Sequence, residues 1–187
     1  MNQEQLNNCI AEELNKWQPI LEYARIYIDE AKDFRKNHLW ANCWKPTLLI
    51  EGLGTVICAI ISKIEDLSVL CYIGIFLFLL LCITAFVCYK YRKKLVSKDE
   101  IEKLCNLSVN LNKYIIRLQT WLVSLDNRKK VTKAEVDCIE KEYRQAVVSM
   151  ADVEEQFSNI HGNIIPEWQK RAKEYAAKRL EPYKQYI

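Results

Sequence analysis

Two apolar runs joined by a short polar loop dominate this sequence of 187 residues. The second run, 67–89, has no charged side chain, and as a helix it would extend about 35 Å, enough to cross a hydrocarbon layer of about 30 Å. The first run, 46–61, is shorter and carries one acid, Glu51. Because the loop at 62–66 is too short to lead back across a membrane, we predict a transmembrane hairpin with spans at about 46–62 and 67–89.

Positive charge is concentrated on one side of this hairpin. Lys45 precedes the first span, a basic segment at 90–94 follows the second, and the connecting loop has one lysine against two acids. By the positive-inside rule, both termini are expected to be cytoplasmic. Four aromatic residues would then lie near the inner interface, where amphipathic rings are enriched: Trp40, Trp44, Tyr89 and Tyr91.

Small and polar residues recur every three or four positions along the first span and would share one helix face: Thr47, Glu51, Gly54, Thr55, Cys58 and Ser62. Because a lipid-exposed carboxyl group is costly, this stripe is a candidate pore lining in which Glu51 forms a ring of acids. Two other interpretations remain open. Glu51 lies about 7 Å from the cytoplasmic end of the span and could be protonated, or paired with Lys45 or with a basic residue that follows the second span. The small residues could also form a helix-packing face.

The segment before the hairpin is amphipathic. In residues 1–18, apolar side chains share one side of a helix, and Pro19 is expected to interrupt it before a second amphipathic helix. The charged face of that second helix, which includes Glu22 and Arg25, is expected to be solvated. Pro46 is expected in the first turn of the first span, where its missing N–H costs little.

Two seams of apolar residues in alternating steps of three and four follow the hairpin, each after a capping box. The boxes are formed by Ser97 with Glu100 and by Thr132 with Glu135. The first seam, with one polar member, runs through Ile101, Leu104, Ser108, Leu111, Ile115, Leu118, Leu122 and Leu125. The second runs through Val136, Ile139, Tyr143, Ala146, Met150, Val153, Phe157, Ile160 and Ile164. Two such helices joined by a short turn predict an antiparallel coiled-coil hairpin.

The expected fold class is therefore all-α, a membrane protein with a two-helix transmembrane hairpin and a cytoplasmic helical bundle that contains the coiled-coil hairpin. The expected division is into N-terminal cytoplasmic helices at 1–44, the hairpin at 45–94, and the coiled coil with a basic C-terminal helix at 95–187.

Two basic clusters are candidate sites for an anion such as a nucleotide. Residues 90–187 carry 20 basic and 14 acidic side chains, a net charge of +6. One cluster lies at the tip of the coiled-coil hairpin and the other beside the second span: Arg128, Lys129, Lys130 and Lys133, and Lys90, Arg92, Lys93 and Lys94. A solvated turn is the alternative for the first cluster. Membrane topology and attraction to anionic lipid are the alternatives for the second.

The composition disfavours an enzyme. Only four glycines and two histidines are present, so neither a phosphate-binding loop nor histidine-based catalysis is indicated. The eight cysteines include no C-x-x-C pair, and we expect no disulfide framework, metal site or cofactor.

This layout resembles the SLATT family, two-transmembrane effectors associated in bacterial conflict systems with SMODS nucleotidyltransferases and SLOG domains. The likeness covers nearly the whole chain and rests on Lys45-Pro46, the two apolar runs and the break at 161–166. It implies an oligomeric pore in antiphage defence that disrupts the bacterial inner membrane under the control of a cyclic or linear oligonucleotide made by a partner nucleotidyltransferase. No nucleotide-binding motif can be matched residue by residue.

The leading hypothesis from the sequence is thus a homo-oligomeric, cation-permeable channel in the lipid bilayer, gated from its cytoplasmic helices, with no duplex nucleic acid as partner. A membrane-anchored helical scaffold or adaptor without a pore is the alternative, and a phage holin is a further pore-forming one.

Overall fold

The structure is a computed structural model, and it describes residues 1–65, 68–126, 131–160 and 165–186. Within these ranges the chain forms six α-helices, one short 3₁₀ helix and no strand, which confirms the all-α class. The α-helices are α1 (Gln3–Asn37), α2 (Trp40–Glu65), α3 (Ser68–Tyr91), α4 (Lys98–Ser124), α5 (Lys133–Ile160) and α6 (Pro166–Leu180). The 3₁₀ helix at Glu181–Tyr186 follows α6 directly.

By contacts, the chain divides into two compact units. Residues 1–29 and 98–187 form one, which we call the helical unit, and residues 30–97 form the other, the hairpin unit. The start of α1 therefore packs with the C-terminal half of the chain, whereas the expected division follows the order of segments and treats residues 1–44 as one.

The first helix runs through Pro19, and the prediction that this proline interrupts it is wrong. Its buried positions keep one helical phase from Leu14 and Trp17 to Leu21 and Ala24. An unbroken apolar face lets both halves bury their side chains in the same core, which offsets the hydrogen bond that Pro19 cannot donate. Asn2 and Gln5 cap the start of α1, where the Gln5 N–H donates to Asn2 Oδ1 over 2.7 Å.

In the helical unit, α1 runs antiparallel to α4 and parallel to α5. Gln3 donates to the carbonyl of Leu125, near the end of α4, and the Trp17 ring packs edge-on against Tyr114. Lys16 pairs with Glu154 over 2.8 Å. Three helices thus share one core at this level, rather than the two arms of a hairpin alone.

The predicted seam of α4 is buried at every position except Ser108, which is half-buried. A second heptad-spaced column, Leu107, Tyr114 and Trp121, is buried beside it. The two columns together give α4 an apolar face wide enough for more than one neighbour. Along α5 the described seam positions are buried or half-buried, and the capping box is confirmed because the Thr132 N–H donates to Glu135 Oε2 over 2.8 Å. Coiled-coil geometry stays a prediction.

The hairpin unit contains two helices long and apolar enough to cross a membrane, over Trp40–Lys63 and Val69–Tyr91. They pack against each other and expose apolar side chains, such as Ile50 and Phe76, on their outer faces. Pro46 lies inside α2, which begins six residues earlier at Trp40, so its predicted position in the first helical turn is wrong. Trp40 extends α2 because its ring packs against Tyr91 of α3, at 6.2 Å between ring centroids.

Candidate functional site

Glu51 lies on the face of α2 that meets α3. The Thr84 hydroxyl donates to its Oε1 over 3.1 Å. Its Oε2 is buried and has no hydrogen-bond partner among the described residues. Since an unpaired polar atom in an apolar setting is costly, this oxygen would be stabilised by a cation or a water molecule.

Small residues bring α2 and α3 close together in the part of the hairpin that follows Glu51 along α2. A Cβ placed on Gly54 would lie 3.1 Å from Leu77 Cδ1, and one on Gly74 would lie 3.3 Å from Cys58 Cβ. Close approach at such positions is the usual way in which transmembrane helices associate. The contacts 51–84, 54–77 and 58–74 also fix α2 and α3 as antiparallel neighbours.

The predicted pore-lining stripe therefore faces α3 in part. Glu51, Gly54 and Cys58 meet α3, as the helix-packing interpretation expects. The hydroxyls of the other members donate to backbone carbonyls of α2: Thr47 to Cys43, Thr55 to Glu51 and Ser62 to Ala59. Pore lining by these residues concerns an assembly of several chains and stays a prediction.

The basic cluster after the second span does not converge on one point. Lys90 Nζ lies 5.6 Å from the Tyr91 ring centroid, and Arg92 lies over Tyr89 at 5.2 Å. Lys94 pairs with Glu30 over 3.6 Å, and Lys93 is exposed. As an anion site, this cluster would use Lys90, Arg92 and Lys93 rather than all four residues.

The cluster at the predicted hairpin tip has one residue that the structure describes, Lys133. Arg128, Lys129 and Lys130 lie outside the described residues. Lys133 is the first residue of α5 and is exposed. The proposal of an anion site there rests on the sequence.

A polar network inside the helical unit was not predicted from the sequence. Glu22, expected on a solvated face, is only 4% exposed. Its Oε1 accepts from Arg25 Nη1 at 2.8 Å, Gln18 Nε2 at 2.9 Å and Arg179 Nε at 2.9 Å. Arg25 continues the network to Asn112 of α4. The available signal was the position of Glu22 beside Leu21, on the edge of the apolar face.

A groove of about 460 Å³ between α4 and α5 is a further candidate site. It is lined by Arg117, Thr120, Trp121, Glu142, Gln145, Ala146 and Ser149. Its lining combines one guanidinium, one carboxylate, an aromatic ring and several hydrogen-bonding groups, which suits a small polar ligand whose anionic part contacts Arg117. The heptad spacing does not reveal this groove because all of its lining residues except Ala146 lie outside the two predicted seams.

Beside it, two tyrosines face acids of α1. Burial raises the pKa of Tyr143 to about 12, and the charges of Glu13 and Glu12 and the Cys9 thiol of α1 add to the shift. Burial and Glu13 also raise the pKa of Tyr114, whose hydroxyl donates to Glu13 Oε2 over 3.3 Å. Both hydroxyls are therefore neutral hydrogen-bonding groups at physiological pH.

Comparison of the chain with protein-family models, curated proteins and solved structures found no match.

Proposed function

We propose that this chain is a membrane effector that assembles as a homo-oligomer into a cation-permeable pore, and that a nucleotide signal bound by the helical unit controls it in antiphage defence. The observation that carries the pore is Glu51 of the proposed transmembrane hairpin, a carboxyl group whose second oxygen is buried and has no hydrogen-bond partner among the residues that the structure describes. Ionisable groups at such depth usually serve ion or proton pathways.

Assembly follows from the size of the membrane part. A hairpin of two helices cannot enclose a pore, so several copies would have to surround it. Cyclic symmetry would turn one Glu51 into a ring of carboxyl groups, which attracts cations. The hydrogen bond from Thr84 would hold each carboxyl group in a fixed orientation within that ring.

Control by a nucleotide is supported by charge and by the groove between α4 and α5. The net charge of +6 over residues 90–187 favours an anionic ligand. Within the groove, Arg117 would contact a phosphate group, and Gln145 would donate or accept a hydrogen bond with a base or sugar. Ser149, whose hydroxyl donates to the carbonyl of Ala146 over 2.7 Å, would accept a hydrogen bond from the ligand. The resemblance to SLATT proteins points to the same class of ligand.

Ion flux from liposomes that contain the purified full chain tests the pore. Glu51→Gln should reduce the preference for cations over anions by several-fold, while Glu174→Gln at an exposed position of α6 should leave it unchanged. Unchanged selectivity in Glu51→Gln would remove Glu51 from the pathway. Absence of flux from a correctly inserted oligomer, with and without oligonucleotides, would reject the pore itself.

Ligand control is tested by comparing two charge-altered variants in the same assay. Arg117→Gln removes the guanidinium of the groove, and a triple reversal to glutamate at 128–130 removes the cluster at the predicted tip. The variant that abolishes the response to an added oligonucleotide, with helicity by circular dichroism retained, locates the site. If both variants respond normally, neither location binds the signal.

A membrane-anchored scaffold is the second candidate, and one observation favours it. The outer faces of α4 and α5 expose Val109, Ile116 and Val148, of which Val148 is 75% exposed. Exposed apolar side chains of this kind can mark a surface for a partner protein. Loss of a co-purifying partner on Ile116→Lys, in a chain that shows no flux, would support the scaffold.

A further inference from the structure

A cleft of about 320 Å³ opens between α2 and α3 in the hairpin unit. It is lined by Trp40, Trp44, Thr47, Ile83, Thr84 and Val87. Its walls are therefore mainly aromatic and aliphatic, with two threonine hydroxyls whose hydrogens are already donated to Cys43 O and to Glu51. Such a lining suits a hydrocarbon chain better than a polar solute.

The depth of the cleft follows from the contacts at its two ends. At one end the Trp40 ring packs against Tyr91, and at the other Thr84 bonds to Glu51. Trp40 and Tyr91 are interfacial residue types, whereas Thr84 lies seven residues before Tyr91, about 10 Å deeper along the helix. In an inserted hairpin the cleft thus runs from the level of the headgroups to the beginning of the acyl chains.

Two lysines contact aromatic residues at the shallow end of the cleft without being part of its lining. Lys45 Nζ is 5.5 Å from the ring centroid of Trp44, which lines the cleft. Lys90 Nζ is 5.6 Å from the ring of Tyr91, the residue that packs against Trp40. Glu51 and Thr84 lie opposite each other on antiparallel helices. Lys45 is six residues before Glu51 and Lys90 is six residues after Thr84, so the two lysines lie at the same height along the hairpin. In the described part of the chain, no carboxylate pairs with either ammonium group.

We propose that this cleft binds one acidic phospholipid, with an acyl chain between α2 and α3 and the headgroup phosphate held by Lys45 and Lys90. The apolar walls select a lipid over a soluble phosphate, and the two ammonium groups select a net negative headgroup over a zwitterionic one. The site needs one inserted hairpin. It therefore shares membrane insertion with the proposed function, but it requires neither a pore nor a nucleotide.

Tryptophan quenching by brominated lipids tests this site in the full chain. The protein is reconstituted in vesicles of phosphatidylcholine that contain either brominated phosphatidylglycerol or brominated phosphatidylcholine, whose acyl-chain bromines quench Trp40 and Trp44 on close approach. Wild-type protein should prefer the acidic lipid, by about five-fold for each lysine. The double variant Lys45→Gln/Lys90→Gln should bind the two lipids equally.

Two further variants separate a built site from general attraction. Lys36→Gln/Lys63→Gln removes the same charge from the exposed end of α1 and from the far end of α2, and it should keep the preference. Val87→Phe fills the cleft without changing charge and should abolish the preference for the acidic lipid. Lys45→Arg/Lys90→Arg keeps both positive charges in the otherwise wild-type chain and should keep that preference. Equal losses in the two glutamine variants, or full preference in Val87→Phe, would overturn the proposal.

Three other results would distinguish a lipid site from a soluble-phosphate site, and the lipid site from the proposed pore. Recovery of fluorescence on adding millimolar glycerol 3-phosphate would show that a soluble phosphate occupies the site, which overturns the assignment of a lipid. Quenching by neither brominated lipid would overturn the site and membrane insertion together. A preference for the acidic lipid in a protein without ion flux would uphold the site while the pore fails.

Discussion

At the scale of single residues, Glu22 is a buried charge that joins α1 to α6 inside the helical unit. Its Oε1 is the shared acceptor for Gln18, Arg25 and Arg179, from α1 and α6. Arg25 and Arg179 are 34% and 58% exposed, so solvent screens part of these contacts, and hydrogen bonds to a charged group contribute about 1.5–3 kcal/mol. We expect Glu22→Gln to lower the free energy of unfolding by about 2 kcal/mol, measured by chemical denaturation monitored by circular dichroism.

An exposed pair in the same unit provides the control. Glu181 contacts Lys184 over 2.6 Å, and both side chains are mostly exposed. Since solvent screens such a pair, Glu181→Gln should change the free energy of unfolding by less than about 1 kcal/mol. Equal effects of the two substitutions would mean that Glu22 is effectively solvated.

Tyr143 makes the helical unit sensitive to alkaline pH. Its pKa is raised from 10 to about 12, first by burial and then by the charges of α1. The unfolded chain therefore loses this proton at lower pH than the folded chain, so the contribution of Tyr143 is complete below pH 10 and is lost as the pH rises toward 12. Between pH 8 and pH 11, Tyr143→Phe should gain about 1 kcal/mol of stability relative to the wild type, after allowance for solvent screening.

The measurement is urea denaturation at the two pH values. Tyr175→Phe, at an exposed position on α6, is the matched variant and should shift the unfolding free energy equally at both. A constant difference between Tyr143→Phe and the wild type would contradict the role given to Tyr143.

At the scale of helices, Pro19 is a local defect that packing overrides. It lies inside α1 and cannot donate a hydrogen bond to the carbonyl of Asn15. A proline in a helix interior costs up to about 3 kcal/mol, so Pro19→Ala should raise the free energy of unfolding by about 1–3 kcal/mol. Thermal and chemical denaturation of the full chain in detergent would measure the gain.

Pro166 is the appropriate comparison because it lies in the first turn of α6, where a proline is well tolerated. Pro166→Ala should give no gain. If Pro19→Ala also gives none, the helix has no penalty to relieve at that position, and the continuous α1 would be in doubt.

The periodic patterns predicted the helices more reliably than they predicted their neighbours. The apolar positions of the α4 seam, from Ile101 to Leu125, are buried as expected because spacing alone determines which side chains share a face. The burial of Leu107 and Tyr114 beside it depends on contact with other helices, which spacing within α4 does not report. Likewise, the sequence predicts Glu22 on the surface because one of its partners, Arg179, lies more than 150 positions away and cannot be inferred from local spacing.

At the scale of the whole molecule, chain order and spatial order differ. The hairpin unit, 30–97, is inserted between the two sequence segments that form the helical unit. Leu6, Ile10 and Leu14 of α1 are fully buried, and α1 contacts α4, α5 and the chain's last described residues. Residues 98–187 therefore lack part of their core without residues 1–29.

A permuted chain that omits the hairpin tests this interleaving. The carbonyl of Tyr186 lies 2.5 Å from Asn7 Nδ2, so a flexible linker of about eight residues can join residue 187 to residue 1. We expect the permuted chain, 98–187 followed by 1–29, to be soluble, helical and cooperative in thermal unfolding. In this permuted chain, Trp17→Ala should lower the free energy of unfolding by about 3–5 kcal/mol, because Trp17 is buried against Tyr114.

The fragment 98–187 alone should be less helical than the permuted chain or should self-associate through the exposed face of α4. If that fragment unfolded as cooperatively and at the same temperature as the permuted chain, α4 and α5 would be a self-sufficient pair, as the coiled-coil hairpin predicts.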